Sequence, residues 1–147
     1  MKIIFYSTKD NKLAKWIACS YLNYIDQYNL NKKIKDIFLK SENLSKNNLC
    51  YIGSRKDNCQ IIALGCYGQN NIILNLITGL NDIFSIQEKI ILINIDSIYN
   101  IFINLGLTAI NLKLESIGLL LLKKGIIVET PKINKLVKEI RERIAIN

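Results

Sequence analysis

Cys66 is the side chain with the most evident chemistry in this sequence. It stands in "IIALGCYGQNN", residues 61–71, where an apolar run stops at Gly65 and a cysteine and a second glycine follow. Asn70 and Asn71 then lead into a new apolar periodicity. A thiol at a helix N-terminus meets the positive end of the helix dipole, which favours the thiolate. A cysteine nucleophile also needs a base or a cation, and the chain has no histidine and no C-x5-R pattern around Arg55, Arg141 or Arg143. A second reading is an anion cradle built from backbone amides. The stretch is neither a P-loop nor a GxGxxG, because the lysine and the third glycine are absent. The third reading is a tight strand-to-helix turn whose glycines serve backbone geometry, with Gln69 or Asn70 capping the helix. That third reading is the expectation.

Ligands of open α/β sheets bind beyond the carboxyl ends of the strands. Three loops of this chain qualify: Ser7 to Asn11, Gly65 to Asn71 and Asp96 to Asn100. They supply the candidate ligand-binding residues: Ser7 and Thr8 in the first, Gly65, Cys66, Gly68, Gln69 and Asn70 in the second, Asp96 and Asn100 in the third. Asp96 suits a metal or a ribose hydroxyl, and equally the cap of a following helix. No catalytic residue, metal ligand or cofactor is assigned. The cysteines at 19, 50, 59 and 66 show no CxxC spacing, which with no histidine argues against zinc and for four free thiols.

The elements that position these loops can be read from periodicity. "KIIFYS" (2–7) is a β-branched and aromatic first strand. Asp10 or Asn11 caps a helix in which Leu13, Trp16, Ile17, Tyr21, Leu22 and Ile25 recur at helical spacing through about Tyr28, with Trp16 as a core anchor. A lysine-rich helix, "NKKIKDIFLK", and a polar loop, "SENLSKNN", follow. "LCYIGS" and "CQIIALG" flank the turn-forming "RKDN", which predicts an antiparallel hairpin. The remaining elements are a helix over 70–84, a strand over 89–95 and a helix over 98–105. A helix over 112–124 then ends at Gly125, "IIV" (126–128) forms a short strand, and Thr130 and Pro131 start a terminal helix. The sum is one α/β domain over 1–147, a three-layer Rossmann-like arrangement with a mixed sheet of about five strands and helices on both faces. The strands at 2–7, 59–65 and 89–95 are expected at its centre, with Ile3, Ile4, Ile61, Ile62, Leu64, Ile91 and Ile93 buried.

Composition narrows the classes. Half of the 147 residues are hydrophobic, enough for a real core. The net charge of +8 comes almost wholly from lysine in an asparagine-rich chain, the pattern that an AT-rich genome imposes. Without clustered arginines and aromatics it argues against nucleic acid as a partner. The apolar stretch over 90–110 contains Asn94, Asp96, Asn100 and Asn104, which argues for strand and buried helix and against a membrane span. No signal peptide is recognisable at "MKIIFYSTKDNK", so the expected location is cytoplasmic.

Order and spacing along nearly the whole chain resemble an uncharacterised bacterial family, domain of unknown function 3189. The resemblance rests on "MKIIFYS", "YIGSRKDNCQIIALG", "LINIDSIYNIFINLG", "SIGLLLLKKGI" and "INKLVKEI". Gly53, Gly65, Asn100, Gly106, Gly118 and Gly125 fall where members carry the same residue. Members typically follow the first strand with Tyr-Gly-Gly-x-His-Ser-Ser, whereas Thr8 to Ala14 read "TKDNKLA" here. The family's Gly-Gly-x-x-Ser-Arg is replaced by "GLTAIN", Gly106 to Asn111, and its Gly-Arg by Gly118 and Leu119. The resemblance thus implies a retained scaffold with a lost or rebuilt polar site. The function expected is a non-catalytic binding protein that holds a protein partner, a second copy of itself or a weakly bound anion. The alternatives are a nucleotide- or phosphate-ligand enzyme using the three loops, and an RNA-binding module using the lysines of residues 32–46 with Tyr21, Tyr24 and Tyr28.

Overall fold

Alternation of β-branched and aromatic residues in β1 (Lys2–Ser7) gives the central strand of the sheet two apolar faces. The computed structural model describes residues 1–25, 29–39, 49–55, 58–83 and 89–145, without the side chains of Asn70, Asn81 and Ala145. The expected polar loop over 41–48, Tyr28 and the middle of the "RKDN" turn lie outside the described residues. The chain divides into two compact units, Met1–Leu22 with Leu44–Asp96 and Asn23–Asn43 with Ser97–Asn147.

The first unit is a mixed sheet with helices on both faces. Its remaining elements are α1 (Lys12–Tyr21), β2 (Leu49–Ser54), β3 (Gln60–Gly65), α3 (Asn70–Ile83) and β4 (Ile90–Asn94). The strand order is β2-β3-β1-β4. β1 pairs in parallel with both β3 and β4, and β2 and β3 form the antiparallel hairpin that the sequence predicts. Ile3, Phe5, Ile61 and Ala63 share one face, and the ring of Phe5 meets that of Tyr21 at 5.7 Å, which sets α1 there. Ile4, Leu64 and Cys66 form the core of the other face, against which Ile73 and Ile77 of α3 pack. Leu13, Trp16, Ile17 and Tyr21 are buried along α1, each stabilising the unit by about 1.5–3 kcal/mol.

Three expectations change here. Four strands are seen among the described residues, not about five. β4 is an edge strand, because β1 takes the place between it and β3, and Ile62, Ile91 and Ile93 are only partly buried. α1 stops at Tyr21 and not near Tyr28, since Asn23 adopts a left-handed φ of 58° just past the Leu22 C-cap.

The second unit is helical: α2 (Leu30–Phe38), α4 (Ile101–Asn111) and the 31-residue α5 (Glu115–Ala145). α4 ends with Lys113 at φ 64°, where Lys113 N–H donates to Ile110 O and Leu114 N–H to Ala109 O. These two bonds close the last turn and reverse the chain into α5. Gly106 and Gly118 let the two backbones touch. A Cβ on Gly106 would lie 2.9 Å from Gly118 O, and one on Gly118 would lie 2.9 Å from Gly106 O.

The expected breaks at 125–131 do not occur. "IIV" is helical, Gly125 is no C-terminal glycine, and Thr130 and Pro131 lie inside α5. The inward stripe of Leu122, Ile126, Glu129, Ile133, Val137 and Ile140 runs through the junction without a change of period. Gly125 is a packing position instead, where a Cβ would meet Ile103 Cγ1 at 2.7 Å. Thr130 Oγ1 donates to Ile126 O at 2.9 Å, and Pro131 sits on the exposed side. The roughly 3 kcal/mol that an interior proline costs is offset by the burial of the stripe on both sides of it, Ile126 before and Ile133 and Val137 after. The expected helix over 98–105 becomes a 3-10 turn, Asp96–Ile98, followed by α4.

Candidate functional site

At the carboxyl end of the sheet, β1, β3 and β4 deliver Ser7, Cys66 and Asp96 side by side, the placement that strand order alone dictates. Ser7 is fully buried, and its Oγ donates to Asp96 Oδ1 at 3.1 Å. The same oxygen accepts the backbone N–H of Thr8 at 3.0 Å. Ser7 Oγ in turn accepts the N–H of Lys9 at 3.0 Å. Asn94 Oδ1 accepts Asp96 N–H at 2.7 Å, which fixes the exit from β4. Asp96 is therefore neither a helix cap nor an open ligand in this arrangement. It ties the end of β4 to the loop after β1 through a carboxylate with two donors, the stronger kind of hydrogen bond.

The turn after β3 is tied to the same loop. Cys66 N–H donates to Ser7 O at 2.8 Å, Tyr67 N–H to Lys9 O at 3.1 Å, and Gly68 N–H to Thr8 O at 2.7 Å. Three successive amides, the groups an anion cradle would need, thus point at carbonyl oxygens of the chain itself. Tyr67 and Gly68 reach this shape with φ of 46° and 82°. Gly65 makes the approach possible: a Cβ there would lie 2.6 Å from Asn11 N and 2.7 Å from Asp10 C. Gln69 N–H closes the turn on Cys66 O, and Gln69 O accepts Ile73 N–H, so the backbone of Gln69 begins α3. The side chain of Asn70, the other expected cap, is outside the described residues.

Electrostatics at the cluster follow from this closure. The Cys66 thiol is pushed above its ordinary value, first by burial and then by the nearby Asp96 carboxylate. That is opposite to the thiolate expected of a cysteine activated by a helix N-terminus. Asp10 is raised by burial, partly opposed by the Lys12 N–H at 3.0 Å and by the charges of Lys12, Lys15 and Lys9. The side-chain cap of α1 is thus Asp10, while Asn11 occupies the N-cap position without a side-chain cap bond. Tyr67 is raised by burial and by Asp10.

Asn100 belongs to the second unit and plays a different part from the strand-end residues. Its Oδ1 accepts Ile103 N–H at 2.9 Å as the N-cap of α4. Its Nδ2 donates to Gly125 O at 3.0 Å and to Glu129 Oε1 at 3.2 Å. One end of this amide caps α4 and the other ties that cap to α5. Glu129 was not singled out by sequence reasoning. It is 5% exposed, and Lys132 Nζ approaches its Oε2 at 2.8 Å, at an angle outside hydrogen-bond geometry. No local pattern announces such a carboxylate, because only the partner helix makes its position interior. Tyr21, on the apolar stripe of α1 and needed at the surface only by the RNA-binding alternative, is buried, with its hydroxyl accepting from Arg55 NH1 at 2.8 Å. Tyr24 is exposed. All four cysteines are free, Cys59 and Cys66 buried and Cys19 and Cys50 partly so.

The positions that carry the family resemblance are packing and turn positions in this molecule. Gly65, Gly106, Gly118 and Gly125 are sites of backbone approach, Asn100 is a cap, and Gly53 follows a register irregularity in the β2–β3 ladder. The chain belongs to the family described as protein of unknown function (DUF3189), whose family model matches residues 2–142. No curated protein and no solved structure matches it significantly. Among the described residues, no helix is long and apolar enough to cross a membrane.

Proposed function

We propose that this chain is a non-catalytic binding protein in which the strand-end site has been rebuilt as structure. One observation carries the reading: the amides of Cys66, Tyr67 and Gly68 donate to Ser7, Lys9 and Thr8 carbonyls. An anion entering the turn would have to replace three backbone bonds, each worth roughly 1 kcal/mol net. The buried Ser7 hydroxyl bonded to Asp96, and a Cys66 thiol held above its ordinary pKa, support the same reading, since neither offers a ready nucleophile. Its work then rests on surface contacts with a protein partner.

The test is calorimetric titration of the purified chain with inorganic phosphate and with adenine and guanine nucleotides, alongside assays for their hydrolysis. The reading expects dissociation constants no tighter than about 1 mM, the level of a salt-screened helix-terminus attraction. Micromolar binding, or turnover abolished by Cys66→Ala or Asp96→Asn, would overturn it and favour a nucleotide- or phosphate-ligand enzyme.

A further inference from the structure

α3 buries Ile73 and Ile77 against the sheet, yet it carries a second apolar stripe turned to solvent. Ile72 is 69% exposed, Leu76 59%, Leu80 42% and Ile83 76%. With Gly79 these residues fall within an arc of about 100° on the helix. Gly79 adds an independent observation. A helix-interior glycine is unfavourable, and among the described residues nothing requires this one, since a Cβ there would find none of their atoms within 4 Å. A bare backbone in the middle of an exposed apolar stripe is what a partner helix needs to come close.

We propose that the α3 face pairs with the same face of a second copy of this chain, two α3 helices lying antiparallel across Gly79. Charge selects this occupant. The chain carries +8, so two copies repel through most of their surface. Between Lys56 and Lys89 there is no lysine or arginine, which makes α3 a face on which like chains meet without opposing cations. The spacing is self-complementary: a twofold axis level with position 78, one residue short of Gly79, sets Ile72 opposite Ile83 and Leu76 opposite Leu80 of the other copy. The four side chains offer on the order of 400 Å² per protomer, about half of what a standard interface buries per partner. A contact of that size belongs to the weak, transient end of the range, so the association is reversible and depends on concentration. A membrane surface fits less well, because helices that lie on membranes carry lysine or arginine on their polar face and α3 carries none. This pairing does not depend on how the strand-end cluster is used.

Sedimentation of the full chain from about 1 to 100 μM tests it. The expected result is a reversible shift from 16.9 kDa to twice that mass. Leu76→Glu and Ile72→Glu should each weaken the dimer at least about tenfold with the circular dichroism spectrum unchanged, since both side chains are exposed in the monomer. Gly79→Gln should weaken the dimer while raising the melting temperature of dilute, monomeric protein, a pair of opposite effects that a merely structural glycine would not give. Leu105→Glu, on α4, should leave the dimer intact. A wild type that stays monomeric at the highest concentration would overturn the proposal. So would a dimer insensitive to both glutamate variants, or a monomer that binds anionic phosphatidylserine vesicles through α3.

Discussion

Gly65→Ala is the sharpest perturbation of the strand-end architecture. The new Cβ would lie 2.6 Å from Asn11 N and 2.7 Å from Asp10 C, against the 3.4 Å at which ordinary contact begins. Relief requires the loop after β1 to retreat by 3.4 − 2.6, roughly 0.8 Å. The bonds from Cys66, Tyr67 and Gly68 to that loop, at 2.8, 3.1 and 2.7 Å, would then stretch beyond useful length. Whether the chain moves or stays strained, the cost is about 2–3 kcal/mol. The smaller unfolded-state entropy of alanine returns about 0.4–1 kcal/mol, leaving a net loss of roughly 2 kcal/mol. That corresponds to a melting temperature lower by about 4–8 °C. The assay is denaturant unfolding followed by fluorescence of Trp16, the sole tryptophan, buried in α1 of the same unit. Gly68→Ala is the control: its φ is 82° but nothing lies within 4 Å, so only conformational strain remains, and the net cost is under about 1 kcal/mol. A Gly65→Ala protein as stable as wild type, or more stable than Gly68→Ala, would refute the reasoning.

Asp96→Ala should cost about 2 kcal/mol in the same assay, because Ser7 Oγ and Thr8 N–H lose a charged acceptor, while Asp96→Asn keeps an acceptor oxygen and should cost less than half of that. Asn100→Ala should cost about 2–3 kcal/mol, read by circular dichroism of the helices, since it removes the α4 cap and the donor to Gly125 and Glu129. Asp10 gives a pH signature. Burial raises its folded pKa above the ordinary carboxylate value of about 3.9, so the native state holds its proton more tightly than the unfolded chain. Its contribution to stability is present below that value and is lost as pH rises through the raised one. Asp10→Asn keeps the acceptor for Lys12 N–H, so it should gain stability relative to wild type between pH 4 and pH 7. A relative loss over that interval would contradict the burial argument.

Much of the sheet was legible because its signals are local. The β-branched run of β1, the "RKDN" turn between two alternating strands and the Asp10 cap each lie within a few residues of what they shape. The glycine turn was legible for the same reason, since Gly65 stops an apolar run where close backbone packing is needed. The unity of α5 was not. Gly125, the β-branched run after it and Thr130-Pro131 are strong local stop signals, overridden by the packing of α4 on Gly125 and by an inward stripe that stays buried through Ile126, Glu129 and Ile133. β4 read as central because its apolar run matches that of a buried strand, and only the pairing order reveals it as an edge. The strand-end cluster was half legible. Ser7, Cys66 and Asp96 could be placed at neighbouring strand ends, but the spending of the turn's amides on the Ser7–Lys9 carbonyls depends on loop shape that no residue type specifies.

The central claim is that those three amides hold the protein together and are not offered to a ligand. Hydrogen exchange at Cys66, Tyr67 and Gly68, followed by nuclear magnetic resonance with and without millimolar phosphate or nucleotide, tests it most directly. Slow exchange at all three, with amide shifts unmoved by either addition, is the predicted result. Fast exchange together with saturable shifts of these amides at micromolar ligand would show an open cradle and contradict it.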